Sequence, residues 1–414
     1  MTSLAIQNFG CRVNQAESFA WAQEFMLHGL KLENDSTLAD IVVVNTCTLT
    51  SRADRDVRKF IRRIERHNPL AKLVLTGCSV EVRRAEFERI SQAWVVLSNA
   101  EKNELTEKVC SGVAAGQPGL IKPLRSRALL KVQDGCNFCC AFCIIPNVRG
   151  RSRSLSRPEI LDRARRFINQ GFQEIVLCGI HLSSYGHDLQ PKSSLLDLLK
   201  NLNELEGLGR IRLSSLDPRF LDDELLQFIT SSRTICPHFH LSLQHGSDRI
   251  LRLMGRESRT ADHGRVLSRL RQNSPEAALG ADIIVGFPEE TEEDFEAGFR
   301  FLERSPLAYL HVFSYSARPG TSAAARPQVP EDVKRWRSAC LRKLAREKWL
   351  SFRLNFLGHG VDGIVIKKQA GEAAVLTGNY INVKVSDCSL EPGQEVEVKI
   401  AAVSSEITAG EIVG

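Results

Sequence analysis

The chain has 414 residues, of which 43% are hydrophobic and 25% are charged, and its formal net charge is +6. This length exceeds what one hydrophobic core usually organises, so we expect two or three domains, and the composition excludes a disordered or fibrous protein. No stretch reaches the roughly 20 apolar residues of a membrane helix, and the N-terminus lacks a signal-peptide pattern. We therefore expect a cytoplasmic protein whose twelve cysteines serve as metal ligands or catalytic thiols rather than disulfides.

The first hundred residues alternate short apolar runs with helix-like segments. Runs rich in β-branched residues at Leu4–Ile6, Ile41–Val44 and Leu73–Leu75 predict buried parallel strands. Helical patterns at Ala16–His28 and Ser51–His67 lie between them. This βαβ order predicts an N-terminal α/β domain with a parallel sheet.

A Gly- and Pro-rich stretch at Ser111–Pro123 predicts a linker, after which the alternation of strand and helix resumes. The predicted strands are Ala128–Gln133, Glu174–Cys178, Arg210–Ser214, Phe239–Leu243, Ala281–Val285 and Tyr309–Phe313. One of the helices between them has Ser156 as its N-cap, Glu159 three residues later and Gly171 as its stop signal. Six such units predict an incomplete parallel β/α barrel, with its chemistry at the carboxyl ends of the strands.

The C-terminal part changes character after a basic helical stretch at Lys334–Phe356. Short strands separated by Gly, Asn and Pro turns follow, at Gly363–Ile366, Ala373–Leu376, Ile381–Val385 and Glu395–Ala401. These predict a small all-β module. The predicted domains are therefore residues 1–112, 124–350 and 352–414.

Four cysteines crowd one loop, in the segment DGCNFCCAFCIIPNVRGRSR after the first predicted barrel strand. Cys136, Cys140 and Cys143 have C-x3-C-x2-C spacing, and Cys139 allows a competing C-x2-C-x3-C register. Three thiolates on one loop can hold three corners of a 4Fe-4S cube and leave its fourth iron open. Structural zinc requires four ligands, and no fourth Cys or His follows nearby.

This loop resembles the signature of the radical S-adenosylmethionine (SAM) superfamily, C-x3-C-x-aromatic-C, with Phe142 at the aromatic position. The resemblance implies that the open iron binds SAM and that the cluster cleaves it to a 5′-deoxyadenosyl radical. It also favours Cys140 over Cys139 as the middle ligand. Cys139 then has a packing role.

Three further cysteines each follow a predicted N-terminal strand: Cys11, Cys47 and Cys78. Because carboxyl ends of parallel strands share one edge of a sheet, these thiols could converge on a ligand. The alternative is that they are small buried hydrophobic residues. From the spacing alone, the two interpretations are about equally supported.

The sequences around these cysteines, GC-x-x-N-x-x-ES, NTC-x-x-x-x-x-A and TGC, resemble the N-terminal domain of the methylthiotransferase family. In that family the three cysteines hold a second 4Fe-4S cluster. The C-terminal module resembles a TRAM domain, an RNA-binding β-barrel. The family inserts a methylthio group at an unactivated C–H bond, so the resemblance implies two 4Fe-4S clusters, SAM, and an electron donor such as a flavodoxin or ferredoxin.

Family branches differ in substrate: isopentenyl-adenosine in tRNA, threonylcarbamoyl-adenosine at position 37 of tRNA, or an aspartate of a ribosomal protein. The segments NFGCRVNQAES, VLCGIHLSSYG, RLSSLDP and HFHLSLQHGSDRILRLMGR most resemble the threonylcarbamoyl-adenosine branch. The expected substrate is therefore the anticodon loop of a tRNA. His245 departs from the Ser of the family's LQSGSD motif. A distant alternative is a non-catalytic zinc- and RNA-binding protein.

Further site residues are expected at strand ends and in basic segments. The expected SAM contacts, besides Phe142, are Gly179, His181, Ser215, Gln244 and Gly286, because glycine permits close backbone approach and short polar groups bind ribose or carboxylate. The expected RNA contacts are Arg149, Arg151, Arg153, Tyr380 and Lys384. The remaining cysteines, including Cys388, have no partner at ligand spacing and are read as structural.

Overall fold

The computed structural model describes residues 2–113, 126–369, 371–386 and 389–413. The expected linker lies largely outside these residues, and so does Cys388. The chain forms two compact units. The first contains residues 2–113, 134–153 and 316–321, and the second contains the other described residues.

The first unit is built on a parallel sheet of five strands in the order β2-β1-β3-β4-β5. Its elements are β1 (Ser3–Asn8), α1 (Arg12–Leu27), β2 (Lys31–Leu32), β3 (Ile41–Thr46), α2 (Ser51–His67), β4 (Lys72–Gly77), α3 (Cys78–Glu88), β5 (Ala93–Leu97) and α4 (Leu105–Cys110). Every residue of β3 is buried, as expected for a central parallel strand. This confirms the N-terminal α/β prediction.

The second unit begins with six barrel strands separated by helices, together with the short strand β7 at the edge beside β6. The elements in chain order are β6 (Ala128–Asp134), α5 (Ile145–Arg149), β7 (Arg153–Ser154), α6 (Arg157–Asn169), β8 (Glu174–Gly179), α7 (Leu195–Asn203), β9 (Arg210–Leu213), α8 (Asp223–Ser231), β10 (His238–Gln244), α9 (Asp248–Leu253), α10 (Thr260–Asn273), β11 (Ala278–Val285), α11 (Glu292–Arg304), β12 (Tyr309–Ser314) and α12 (Glu331–Leu354). Of these, α5 belongs to the first unit.

The six barrel strands lie in chain order in two sheets, β6-β8-β9 and β10-β11-β12. The isolated bridges Ile211–Ile235 and Leu216–Leu241 join the two sheets. Among the described strands, β12 does not pair with β6, so the barrel is incomplete, as predicted. Helix α6 starts as expected, because the Ser156 hydroxyl accepts a 3.4 Å hydrogen bond from the backbone N–H of Glu159.

The C-terminal module is a closed barrel of five strands in the order β13-β14-β15-β17-β16. They are β13 (Gly360–Gln369), β14 (Glu372–Thr377), β15 (Asn382–Val385), β16 (Glu395–Val403) and β17 (Thr408–Ile412). Arg212 on β9 forms a buried ion pair with Glu174 at 2.8 Å. The same guanidinium donates to the carbonyls of Thr377 and Gly378, which fastens the module to the β/α barrel within the second unit.

None of the helices in the described ranges is both long enough and apolar enough to cross a lipid bilayer.

Candidate active site

The N-terminal triplet of Cys11, Cys47 and Cys78 lies at one edge of the five-stranded sheet. Cys11 follows β1 and precedes α1, Cys47 follows β3, and Cys78 opens α3 directly after β4. The three strands are neighbours and parallel, so their carboxyl ends meet. The structure therefore brings together three cysteines that are widely separated in sequence.

The approach between two of these segments is close enough to require glycine. Gly10 has φ +116°, and a Cβ placed there would lie 2.7 Å from the Cβ of Cys47. Burial raises the pKa of the Cys47 thiol to about 12, and the neighbouring thiols of Cys78 and Cys11 add to the increase. Burial likewise raises the pKa of Cys11. Cys11 and Cys47 therefore hold their thiol protons more tightly than a free cysteine does, and a metal or cluster that binds them must displace these protons.

A buried polar network supports this triplet. The Asn14 side chain accepts a 3.4 Å hydrogen bond from the Cys11 thiol and donates at 3.0 Å to the carbonyl of Thr46, which precedes Cys47. Asn14 also accepts at 2.7 Å from the guanidinium of Arg149. The turns that carry Cys11 and Cys47 are therefore held by one shared set of hydrogen bonds.

The side chain of Arg149 is buried. It is 1% exposed and forms ion pairs with Glu17 at 3.0 Å and with Asp134 at 2.8 Å. Lys102 pairs with the same Glu17 at 2.7 Å. Burial acts to lower the pKa of Arg149, but Glu17 and the neighbouring groups raise it well above its ordinary value. The expectation of an RNA contact is wrong for Arg149, whereas Arg151 and Arg153 are exposed.

The loop triplet of Cys136, Cys140 and Cys143 lies between β6 and α5, in the first unit. The amide of Cys136 donates to the carbonyl of Gly150 at 3.1 Å, and the amide of Cys143 donates to that of Cys140 at 3.0 Å. These bonds curl the loop. All three ligand candidates are partly buried, whereas Cys139 is exposed. Phe142 is half-buried in the same loop.

The chemistry of both triplets fits an iron–sulfur cluster. Within the described ranges, neither set of sulfurs is packed as tightly as a site for a single ion, unlike His240, Asp282 and His311. Three cysteine ligands at each site match a 4Fe-4S cluster with one open iron.

The residues expected to contact SAM in the second unit have different environments. The backbone N–H of His181 donates to the Gln133 side chain at 2.8 Å, and the imidazole of His181 lies 3.2 Å from a carboxylate oxygen of Asp217. Ser215 has a buried hydroxyl without a hydrogen-bond partner among the described residues, as a ligand-binding group would. Gln244 ends β10 with φ +70°. That strained backbone conformation is typical of functional positions.

Gly286 and His245 both contact other residues of the protein. A Cβ on Gly286 would collide with the side chain of Lys334. Its amide donates to the Glu290 carboxylate at 2.6 Å. His245 is buried, accepts a hydrogen bond from the Ser247 amide at 2.9 Å, and lies 3.6 Å from Glu290. Gly286 therefore packs against Lys334, and its role as a SAM contact stays a prediction. The side chain of His245 takes part in the packing of this loop.

The expected RNA contacts of the C-terminal module border a cavity of about 440 Å³. Its lining includes Tyr309, His311, Arg346, Trp349, Arg353, Tyr380 and Lys384. Tyr380 is half-buried, and its ring stacks on His238 with a centroid distance of 4.1 Å. Tyr380 therefore also packs against β10 within the second unit, and its role as an RNA contact stays a prediction. Lys384 is exposed.

Two polar clusters of the second unit were not predicted from the sequence, one in the loops after the barrel strands and one on the strands themselves. Asp217 lies among His181, Arg219 and Arg256, whose hydrogen bonds and charges outweigh burial and lower the pKa of its carboxyl. His240, Asp282 and His311 form the second cluster. The H-x-H pattern on β10 places His238 and His240 on one face of the strand, but it does not indicate Asp282 or His311, which lie on other strands.

An incomplete parallel barrel, with a three-thiol loop directly after its first strand, defines a radical SAM enzyme. The sequence model of the radical SAM superfamily matches residues 130–302. A second model, described as uncharacterized protein family UPF0004, matches residues 3–98. The radical SAM methyltransferase TsrM from Kitasatospora setae has a similar fold, with a TM-score of 0.58, 14% identity, and coverage of 78% of this chain and 77% of that chain.

Curated relatives match nearly the whole chain. The threonylcarbamoyladenosine tRNA methylthiotransferase MtaB of Aquifex aeolicus is 38% identical, covering 92% of this chain and 96% of that protein. MtaB of Rickettsia prowazekii is 35% identical, covering 96% and 94%. A tRNA-2-methylthio-N(6)-dimethylallyladenosine synthase of Acetivibrio thermocellus is 32% identical, covering 99% and 90%. The chain belongs to the MtaB methylthiotransferase family. Its radical SAM domain implies SAM and a 4Fe-4S cluster as cofactors.

Proposed function

We propose that this chain is a tRNA methylthiotransferase that converts carbon 2 of N-threonylcarbamoyladenosine at position 37 from C–H to C–SCH3. The convergence of the N-terminal triplet at one sheet edge carries the proposal. A radical SAM enzyme that only abstracts hydrogen needs one cluster. A second set of three thiols supplies a place for the sulfur that the product gains.

In this proposal the loop triplet holds the radical SAM cluster and the N-terminal triplet holds the auxiliary cluster. When bound, the first cluster and SAM together supply the radical that removes hydrogen from the substrate. The assigned SAM contacts are the residues predicted from the sequence: Phe142, Gly179, His181, Ser215, Gln244 and Gly286. The proposed domains remain residues 1–112, 124–350 and 352–414.

A buried arginine beside the N-terminal triplet favours a negatively charged cluster there. The three cysteines must bind a cluster as thiolates, and the resulting negative charge requires compensation. Arg149 lies close enough to lower the pKa of both Cys11 and Cys47 electrostatically. This guanidinium therefore stabilises the deprotonated, cluster-bound form.

The RNA partner is the anticodon loop of tRNA. Arg151, Arg153 and Lys384 are exposed cations that can pair with phosphates. The cavity beside Lys384 adds Arg346 and Trp349, a cation and an aromatic ring suited to a phosphate and a base. A flavodoxin or ferredoxin supplies electrons, and the reaction takes place in the cytoplasm.

Metal analysis of protein purified without oxygen tests the cofactor assignment. We expect about eight iron atoms per chain, and about four when either triplet is replaced by alanine. Loss of methylthio transfer in both variants, with the remaining cluster intact, is the expected result. Zinc without acid-labile sulfide would refute the proposal.

The dimethylallyladenosine synthase relative supports a second candidate substrate, isopentenyl-adenosine in tRNA. Incubating the loaded enzyme with tRNA that carries one or the other nucleoside distinguishes the two. The primary proposal expects product only from the threonylcarbamoyl form.

A further inference from the structure

Two histidines and an aspartate meet on three neighbouring strands of the second unit. His240 lies on β10, Asp282 on β11 and His311 on β12. One oxygen of Asp282 lies 2.9 Å from Nε2 of His240 and 3.4 Å from Nδ1 of His311. All three donor atoms lie within 4.8 Å of one another. These residues take no part in the proposed cluster or SAM sites.

The imidazole ring of His240 is held in place by a hydrogen bond at its other ring nitrogen. Its Nδ1 lies 2.9 Å from the hydroxyl of Tyr309, which directs Nε2 toward Asp282. Tyr309 reaches this position over Gly280, where a Cβ would collide with the tyrosine ring. In the strand register, Gly280 pairs with both His240 and Tyr309. Metal-binding histidines usually have such a partner on the second ring nitrogen, which sets the tautomer and the direction of the lone pair.

We propose that His240, Asp282 and His311 bind a divalent transition-metal ion of the zinc type. Zinc lies about 2.0–2.1 Å from imidazole nitrogen and carboxylate oxygen, so ligand atoms in a tetrahedral site are about 3.3 Å apart. The distances from the Asp282 oxygen to the imidazole nitrogens of His240 and His311, 2.9 Å and 3.4 Å, bracket this value. Two imidazoles favour zinc or a similar ion over magnesium or calcium, which prefer oxygen ligands.

The site is open to solvent on the side of His311. The side chain of His311 is 52% exposed and borders the 440 Å³ cavity described above, which provides an entry path. Three protein ligands leave one coordination position open toward a ligand or water.

Metal binding to the intact, cluster-loaded enzyme tests this site without reference to methylthio transfer. After anaerobic dialysis against zinc, we expect about one bound zinc per chain in the wild type, lost in His311→Ala and in Asp282→Asn. The matched control is His359→Ala, an exposed histidine elsewhere in the second unit, which should keep the zinc. Iron and sulfide content should be unchanged in all four proteins.

Equal zinc content in the wild type and both ligand variants would overturn the proposal. X-ray absorption at the zinc edge provides a check that does not depend on folding of a variant. We expect a shell of nitrogen and oxygen only. A sulfur shell would place the zinc at cysteines and would also overturn the assignment. Neither result bears on whether the enzyme transfers methylthio groups.

Discussion

Cys139 and Cys140 are adjacent, but only one of them can be the middle ligand of the loop cluster. Cys139 is exposed, whereas Cys140 is partly buried, as are Cys136 and Cys143. We expect Cys140→Ser to lose the radical SAM cluster, reducing iron from about eight to about four atoms per chain, and Cys139→Ser to keep it. Iron and sulfide analysis with electron paramagnetic resonance of the reduced protein measures this. The reverse pattern would show that the C-x2-C-x3-C register is used.

Arg149 shows how a residue that looks like an RNA contact can be structural. Replacement by methionine leaves Glu17 and Asp134 without their shared cation in a buried place. Removing one partner of a buried ion pair costs about 3–5 kcal/mol. We expect Arg149→Met to lower the free energy of unfolding by this amount and to reduce the iron held by the N-terminal triplet.

Denaturant titration under anaerobic conditions checks the Arg149 prediction. The control is Arg151→Met, which changes an exposed arginine in the same loop and should alter stability by less than about 0.5 kcal/mol. Equal unfolding midpoints for the two variants would mean that the buried network contributes little.

At the scale of elements, the C-terminal module and α12 surround a cavity with a basic lining. Lys384 on β15 is exposed and points to this region, with only a 3.7 Å pairing to Glu372. If an RNA phosphate binds here, Lys384→Glu should weaken tRNA binding several-fold and reduce the slope of log affinity against log salt by about 1. Lys399→Glu reverses another exposed lysine of the module, on β16, and serves as the control. Identical salt slopes for both variants would remove Lys384 from the RNA site.

Elements with strong apolar periodicity were predictable from sequence. The buried strands β3 and β4 and the six barrel strands fall where the apolar runs predict. The strands β2, β5, β7 and β17 were not predicted. β2 and β7 have only two residues each, and most residues of β5 and β17 are only partly buried, so their sequences carry a weak pattern. Tertiary pairing, rather than local preference, forms these strands.

At the scale of the whole molecule, the loop triplet belongs to the same compact unit as the N-terminal sheet. Within this unit, α5, which follows the loop triplet, contacts α1 through the hydrogen bond from Arg149 to Glu17. Sequence resemblance predicted the six cysteines as cluster ligands, because their spacing and the motifs around them are specific. It could not identify this connection, or the cluster of His240, Asp282 and His311, because each depends on distances between residues far apart in the chain.

The central claim is transfer of a methylthio group to threonylcarbamoyladenosine, and mass spectrometry of tRNA nucleosides tests it most directly. The host should lack its own enzyme for this modification and express either this chain or its Cys47→Ala variant. We expect the 2-methylthio derivative of threonylcarbamoyladenosine with the wild-type chain, and only the unthiolated nucleoside with the variant. A methylthio group on isopentenyl-adenosine instead, or no change in either nucleoside, would contradict the account.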